Sequence, residues 1–107
     1  MESNNIIEIE IEKLRFSFPK YNADPDRYLA LHRKCDFYKE VLASIKKEGM
    51  RNPLLVIDLK NGFYEVKIGN NRLIASLELN YKKIPCIILP NSHQQTWKEY
   101  KQKYYVD

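Results

Sequence analysis

The chain has 107 residues, enough for one domain with one modest core, and its 44% hydrophobic and 30% charged composition excludes a disordered or fibrous class. No apolar run approaches the roughly 20 residues that cross a bilayer, and the N-terminus MESNNIIEIEIEK lacks a basic-then-apolar export pattern, so a cytoplasmic protein is expected. The net charge of +4, from 18 basic and 14 acidic residues, suits phosphate-bearing partners but falls short of a dedicated basic DNA-binding arm.

In chain order, Ile7, Ile9 and Ile11 alternate with Glu8, Glu10 and Glu12, the period of a half-buried strand with an acidic outer face. A loop is expected over residues 16–22. Asp24-Pro25 has the form of a helix start, aspartate capping and proline in the first turn, with Tyr28, Leu29, Leu31 and His32 on the helix. Asp36 is the expected cap of a second helix. Its Phe37, Val41, Leu42 and Ile45 make an apolar stripe opposite Lys39, Lys46 and Lys47, and Gly49 ends it.

Residues 54–59 are apolar and partly β-branched, a strand. Asn61-Gly62 is a two-residue hairpin signal, and residues 63–68 return as the partner strand. After the turn Gly69-Asn70-Asn71-Arg72 a helix carries Leu73, Ile74 and Leu77 inward and ends near Asn80; residues 84–89 form another apolar strand. Ser92 and Gln95 have the spacing of a capping box for a last helix over about 92–105, with Trp97, Tyr100 and Tyr104 on one face. Those rings are expected to pack on the sheet or on a second subunit, with base stacking as the sharper alternative. The order β-α-α-β-β-α-β-α, without repeat or linker, describes one small mixed α/β domain over residues 1–107.

Cys35 and Cys86 form no C-x-x-C pair, and Cys86 lies in an apolar strand, so free thiols in a reducing setting are expected and no zinc site. The abundance of lysine, asparagine and isoleucine points to an A/T-rich genome such as that of a phage or mobile element.

Arg72 is the oddity of the chain. A helix N-terminus is electropositive and rich in unsatisfied N–H groups, so a cation there is locally disfavoured. A strand–glycine–helix turn is also an anion site, because N–H groups converge and glycine permits close approach. A guanidinium in the first turn adds a permanently charged fork for phosphate oxygens.

The surroundings of that turn carry a resemblance. The stretch GFYEVKIGNNRLIASLELNYKKIPCII resembles the nucleotide-binding core of the ParB/sulfiredoxin-like superfamily, in which G-x-x-R opens a helix and a following strand contains I-P or V-P. Upstream, LASIKKEGMRNPLLVI is similar to the same superfamily's helix, G-x-x-Q/N-P loop and strand. The likeness covers about residues 6–89, and residues 41–89 carry most of it.

What the resemblance implies is a ParB/sulfiredoxin-like fold binding a nucleoside triphosphate with magnesium between two loops. Gly69, Asn70, Asn71 and Arg72 would form the phosphate turn; Gly49, Asn52 and Pro53 would form the second loop. Arg51, from its charge beside the second loop, and Lys82 and Lys83, from their charge and expected place beside the turn, are added as candidate nucleic-acid contacts. Asn70 stands where sulfiredoxins carry their catalytic cysteine, so that chemistry does not carry over. Asn70 and Asn71 also replace the glutamate and first arginine of the usual ParB G-E-R-R, removing a base and a metal ligand.

The expected function is therefore a stand-alone ParB-like domain in nucleic-acid metabolism, as a DNA nuclease or an NTPase. A non-catalytic DNA- or RNA-binding module, a protein-interaction module acting through the tail, and a small-molecule kinase are the alternatives. A catalytic carboxylate is sought among Asp24, Asp26, Asp58, Glu65 and Glu78, with none assigned.

Overall fold

The computed structural model describes residues 6–17, 22–50 and 52–104, with the backbone alone at Tyr28. Five strands form one mixed sheet: β1 (Ile7–Glu10), β2 (Leu14–Arg15), β3 (Leu54–Asp58), β4 (Tyr64–Ile68) and β5 (Lys83–Ile88), in the order β1-β5-β3-β4-β2. The pairings alternate across the sheet: β1 with β5 antiparallel, β5 with β3 parallel, β3 with β4 antiparallel, β4 with β2 parallel. Four helices accompany it: α1 (Pro25–His32), α2 (Asp36–Glu48), α3 (Asn70–Glu78) and α4 (Gln94–Tyr104). The expected mixed α/β order holds, with one strand added.

The addition is β2. The isoleucine alternation stops at Glu10, a 3-10 turn takes Ile11–Lys13, and Leu14–Arg15 then pairs with Tyr64 and Glu65. Two residues are too few to show a period, yet Leu14 is buried and so is Phe16 behind it. Asn22 holds Phe16 in place: its Oδ1 accepts from Phe16 N at 2.8 Å and its Nδ2 donates to Phe16 O at 3.2 Å.

The main core lies between one face of the sheet and α1, α2 and α3, and includes Ile9, Val41, Ile45, Leu54, Val66, Ile74 and Ile84. Asp24 caps α1 as expected, accepting from Arg27 N at 3.2 Å. Asp36 does not cap α2. Cys35 holds the cap position in extended backbone, and Asp36 is the first helical residue, where its charge complements the helix dipole. The apolar stripe of α2 is also turned from expectation: Tyr38 is 1% exposed, whereas Phe37 is 57% exposed. Tyr38 wins the interior because its hydroxyl has an acceptor there, donating to Glu78 Oε1 on α3 at 2.8 Å. Leu77, expected inward on α3, is exposed, while Ser76 is buried and donates to Arg72 O at 2.8 Å.

The hairpin between β3 and β4 is wider than a two-residue turn. Leu59 N donates to Phe63 O at 3.0 Å, enclosing Lys60, Asn61 and Gly62, and the positive φ values fall on Lys60 and Gly62. Asp58 Oδ1 accepts from Lys60 N at 2.8 Å, which holds the lysine in that conformation.

A smaller cluster occupies the other face, where Leu55, Ile87 and Leu89 pack against Ile57, Ile68 and the rings Trp97, Tyr100 and Tyr104 of α4. The aromatic face of the last helix is thus spent on the chain's own sheet. No capping box forms: Asn91 Oδ1 accepts from His93 N at 2.9 Å, and Gln95 reaches forward to Glu99 at 3.2 Å. Among the described residues, no helix is long and apolar enough to cross a membrane.

Both thiols are free, Cys35 exposed and Cys86 buried. Burial, with a smaller contribution from Glu8, pushes the Cys86 thiol up to about 12 from 9.0. Between those values the unfolded chain loses a proton that the folded chain keeps, so stability falls as pH rises. At about 1.4 kcal/mol per unit, urea midpoints are expected to show a loss of about 2 kcal/mol from pH 9 to 10.5. Cys86→Ala should flatten that slope; an unchanged slope would refute the assignment.

Candidate functional site

β4 does not run regularly into the turn. Val66 pairs with Val56 and Ile68 with Leu55, which leaves Lys67 unopposed as a one-residue bulge. The bulge sends Val66 into the main core and Ile68 into the smaller cluster on the opposite face, although the sequence places them on one side of a regular strand. Immediately afterwards Gly69 adopts φ 111° and ψ 21°, backbone that favours glycine, and α3 begins, with Leu73 N donating to Gly69 O at 2.9 Å.

This turn lines a cavity of about 550 Å³. Gly69, Asn70, Asn71 and Arg72 line it, together with Lys67 from the bulge and Lys101 from α4. A second wall comes from α2, which contributes Phe37, Glu40, Val41 and Ser44 at the spacing of a single helix face. Three cationic side chains therefore line the space against one carboxylate, Glu40, among the described residues. Lys67 is partly neutralised by Glu65, 3.3 Å away, and lies 5.6 Å from the centre of the Trp97 ring.

The two loops expected to flank a phosphate do meet, through side chains. With its amide oriented to satisfy both neighbours, Asn52 donates to Tyr104 O at 2.9 Å and accepts from Arg72 Nη2 at 3.2 Å. Asn52 thus braces the guanidinium against the end of α4. Gly49, with φ 80°, closes α2 by donating to Ile45 O at 2.8 Å, and Pro53 is buried; neither is among the residues lining the cavity. Asn70 lines the cavity but its amide is engaged with Ser17, donating to Oγ at 3.3 Å and accepting from N at 3.4 Å. Ser17 Oγ in turn donates to Val66 O, so Asn70 anchors the segment after β2 to the turn.

Other expected contacts lie elsewhere. Lys82 and Lys83 follow the C-terminal end of α3, the end opposite the turn, and share a surface with Glu10 and Glu12. The expectation that they sit beside the turn is corrected: the length of α3 intervenes. Arg51 lies outside the described residues. Of the carboxylates considered, Asp24 is a helix cap and Asp58 holds the hairpin. Glu65 pairs with Lys67, and Glu78 accepts from Tyr38 and pairs with Arg33 at 3.6 Å. Asp26 borders a separate, smaller cavity with Leu29 and Leu77. His32 stacks edge-on against Tyr38. Among the described residues no three His, Cys, Asp or Glu side chains converge on a metal position.

Phe37, Glu40, Ser44, Lys67 and Lys101 are the site residues that sequence reasoning missed. The i, i+3, i+7 spacing of Phe37, Glu40 and Ser44 marks them as one helix face, but which face meets the turn is a tertiary fact.

The ParB N-terminal domain family matches residues 1–102. Over 50 residues the chain is 36% identical to the probable chromosome-partitioning protein ParB of Vibrio cholerae, a stretch that is 47% of this chain and 17% of that relative. The C-terminally truncated chromosome-partitioning protein ParB from Caulobacter crescentus, solved in complex with CTP-gamma-S, shares the fold with a TM-score of 0.64 and 18% identity, over 96% of this chain and 54% of that one. Sulfiredoxin from Arabidopsis thaliana aligns with a TM-score of 0.57 and 25% identity, covering 90% of this chain and 96% of its own. With a helix, a G-x-x-N-P loop, a hairpin and a G-x-x-R turn in order on this sheet, the chain belongs to the ParB N-terminal domain family, within the ParB/sulfiredoxin-like superfamily.

Proposed function

We propose that this chain binds a nucleotide through its phosphates at the Gly69–Arg72 turn and acts in nucleic-acid metabolism as a ParB-type domain. The observation that carries the reading is that a glycine-opened helix start, Lys67, Arg72 and Lys101 line one cavity. The Caulobacter crescentus relative was solved with a cytidine nucleotide analogue, which supports nucleotide over free phosphate. A magnesium ion at this site would take most of its ligands from the phosphates, since the described residues supply no carboxylate cluster.

The proposal is for binding. Nuclease or NTPase turnover needs a base that Asn70 and Asn71 cannot be; the described carboxylate lining the cavity is Glu40, and those named from the sequence are not among its lining residues.

Calorimetric titration of CTP, ATP and GTP, with and without magnesium, tests the reading. The wild-type chain is expected to bind at least one of them, and Arg72→Ala to weaken it about 10- to 100-fold, the range for a lost charged hydrogen bond. Because Arg72 also braces Asn52, Asn52→Ala serves as the control that removes the brace and keeps the guanidinium. Equal affinity of Arg72→Ala and wild type would end the proposal. Phosphate release and DNA nicking, followed in the same samples, report on turnover.

A further inference from the structure

The wall that α2 contributes to the cavity has a chemistry of its own. Phe37 is 57% exposed, more than any other large apolar side chain among the described residues, and it lines the cavity. Its neighbour Tyr38 fills the core in its place, so no packing demand explains an aromatic ring at this position. The cavity therefore has two unlike halves. One is cationic, with Lys67, Arg72 and Lys101; the other offers an aromatic face beside the polar groups of Glu40 and Ser44.

We propose that the α2 wall is the base-binding half of the nucleotide site, with Phe37 as the platform on which the base stacks. The proposal rests on the reading of the turn as the phosphate half. Stacking on an exposed ring suits any base, because every base has a π face. Charge sets the direction in which the ligand lies: the Glu40 carboxylate repels phosphate, so the phosphates go to the Gly69–Arg72 wall and the base to α2. A volume of about 550 Å³ lies within the range of sites for single small ligands. The occupant is a mononucleotide, not a duplex, whose bases are already stacked on one another.

Titration of inorganic tripolyphosphate beside CTP, ATP and GTP, on wild type, Phe37→Ala and Phe37→Trp, separates the two halves. Wild type is expected to bind at least one nucleotide about tenfold or more tighter than tripolyphosphate. Phe37→Ala should collapse that advantage without changing tripolyphosphate affinity, and Phe37→Trp should restore it. Nucleotides binding no tighter than tripolyphosphate, or an advantage that survives Phe37→Ala, would overturn the base platform while leaving the phosphate turn standing. Absence of binding by both classes of ligand would overturn the two together.

Discussion

Tyr38→Ala is expected to remove about 3–5 kcal/mol of stability, a large part of the roughly 5–15 kcal/mol that holds a domain folded. The adjacent Phe37→Ala should lie within about 0.5 kcal/mol of wild type, as for an exposed position with no buried contacts to lose. The contrast follows from where the two rings go. Tyr38 is enclosed by the core, meets His32 edge-on with ring centres 5.9 Å apart, and donates to Glu78. Glu78 also holds Arg33, just after α1, so one hydroxyl links α1, α2 and α3. Burial and the Glu78 carboxylate push the Tyr38 hydroxyl well above its ordinary range, keeping it a donor at any physiological pH. Tyr38→Phe, which keeps the ring, should cost only about 1 kcal/mol. Urea unfolding of the three variants in parallel decides the matter; equal losses from Phe37→Ala and Tyr38→Ala would show that α2 is rotated from the position described.

Gly69→Val is the second large effect, and it falls on site and fold at once. At φ 111° a β-branched residue is strained by about 1–3 kcal/mol, and the relief available is to move the turn. Moving the turn displaces the start of α3, and with it Arg72 and the Asn70 amide that ties down Ser17. The expected result is a lowered melting temperature together with nucleotide affinity reduced at least tenfold. Gly69→Asn should be milder in both measurements, because asparagine enters left-handed backbone more readily. A valine variant with wild-type affinity and stability would mean the turn tolerates ordinary backbone and has no need of glycine.

How much of this was legible beforehand depended on whether the cause was local. Asp24-Pro25 and Gly49 announce helix ends through their own backbone and side-chain chemistry, and both ends are where expected. The run Ile84-Pro85-Cys86-Ile87-Ile88 is apolar enough to be a central strand in any context, and it lies between β1 and β3. The choice between Phe37 and Tyr38 was not legible, because it is made by Glu78, forty positions away in sequence. The bulge at Lys67 is silent too: the alternation of Tyr64, Val66 and Ile68 reads as unbroken, and only the pairing with β3 shows the extra residue.

The site divided along the same line. The G-x-x-R turn is a continuous stretch whose chemistry is visible in one reading, and all four of its residues line the cavity. The α2 side chains and Lys101 come from segments that only folding brings near. Asn52, expected with Arg72 beside a phosphate, meets it in a side-chain brace, with α4 as its third member.

The place of α4 in that brace carries a consequence for the order of events during synthesis. A chain emerges N-terminus first and its folded parts accumulate in that direction. The sheet and its main core draw on residues up to β5, whereas Lys101 and the Tyr104 carbonyl come at the end of the last helix. A nascent domain can therefore hold its sheet and its glycine turn while still lacking Lys101 and the anchor behind Arg72. Ligand capture on the ribosome would wait for the final helix to emerge and dock.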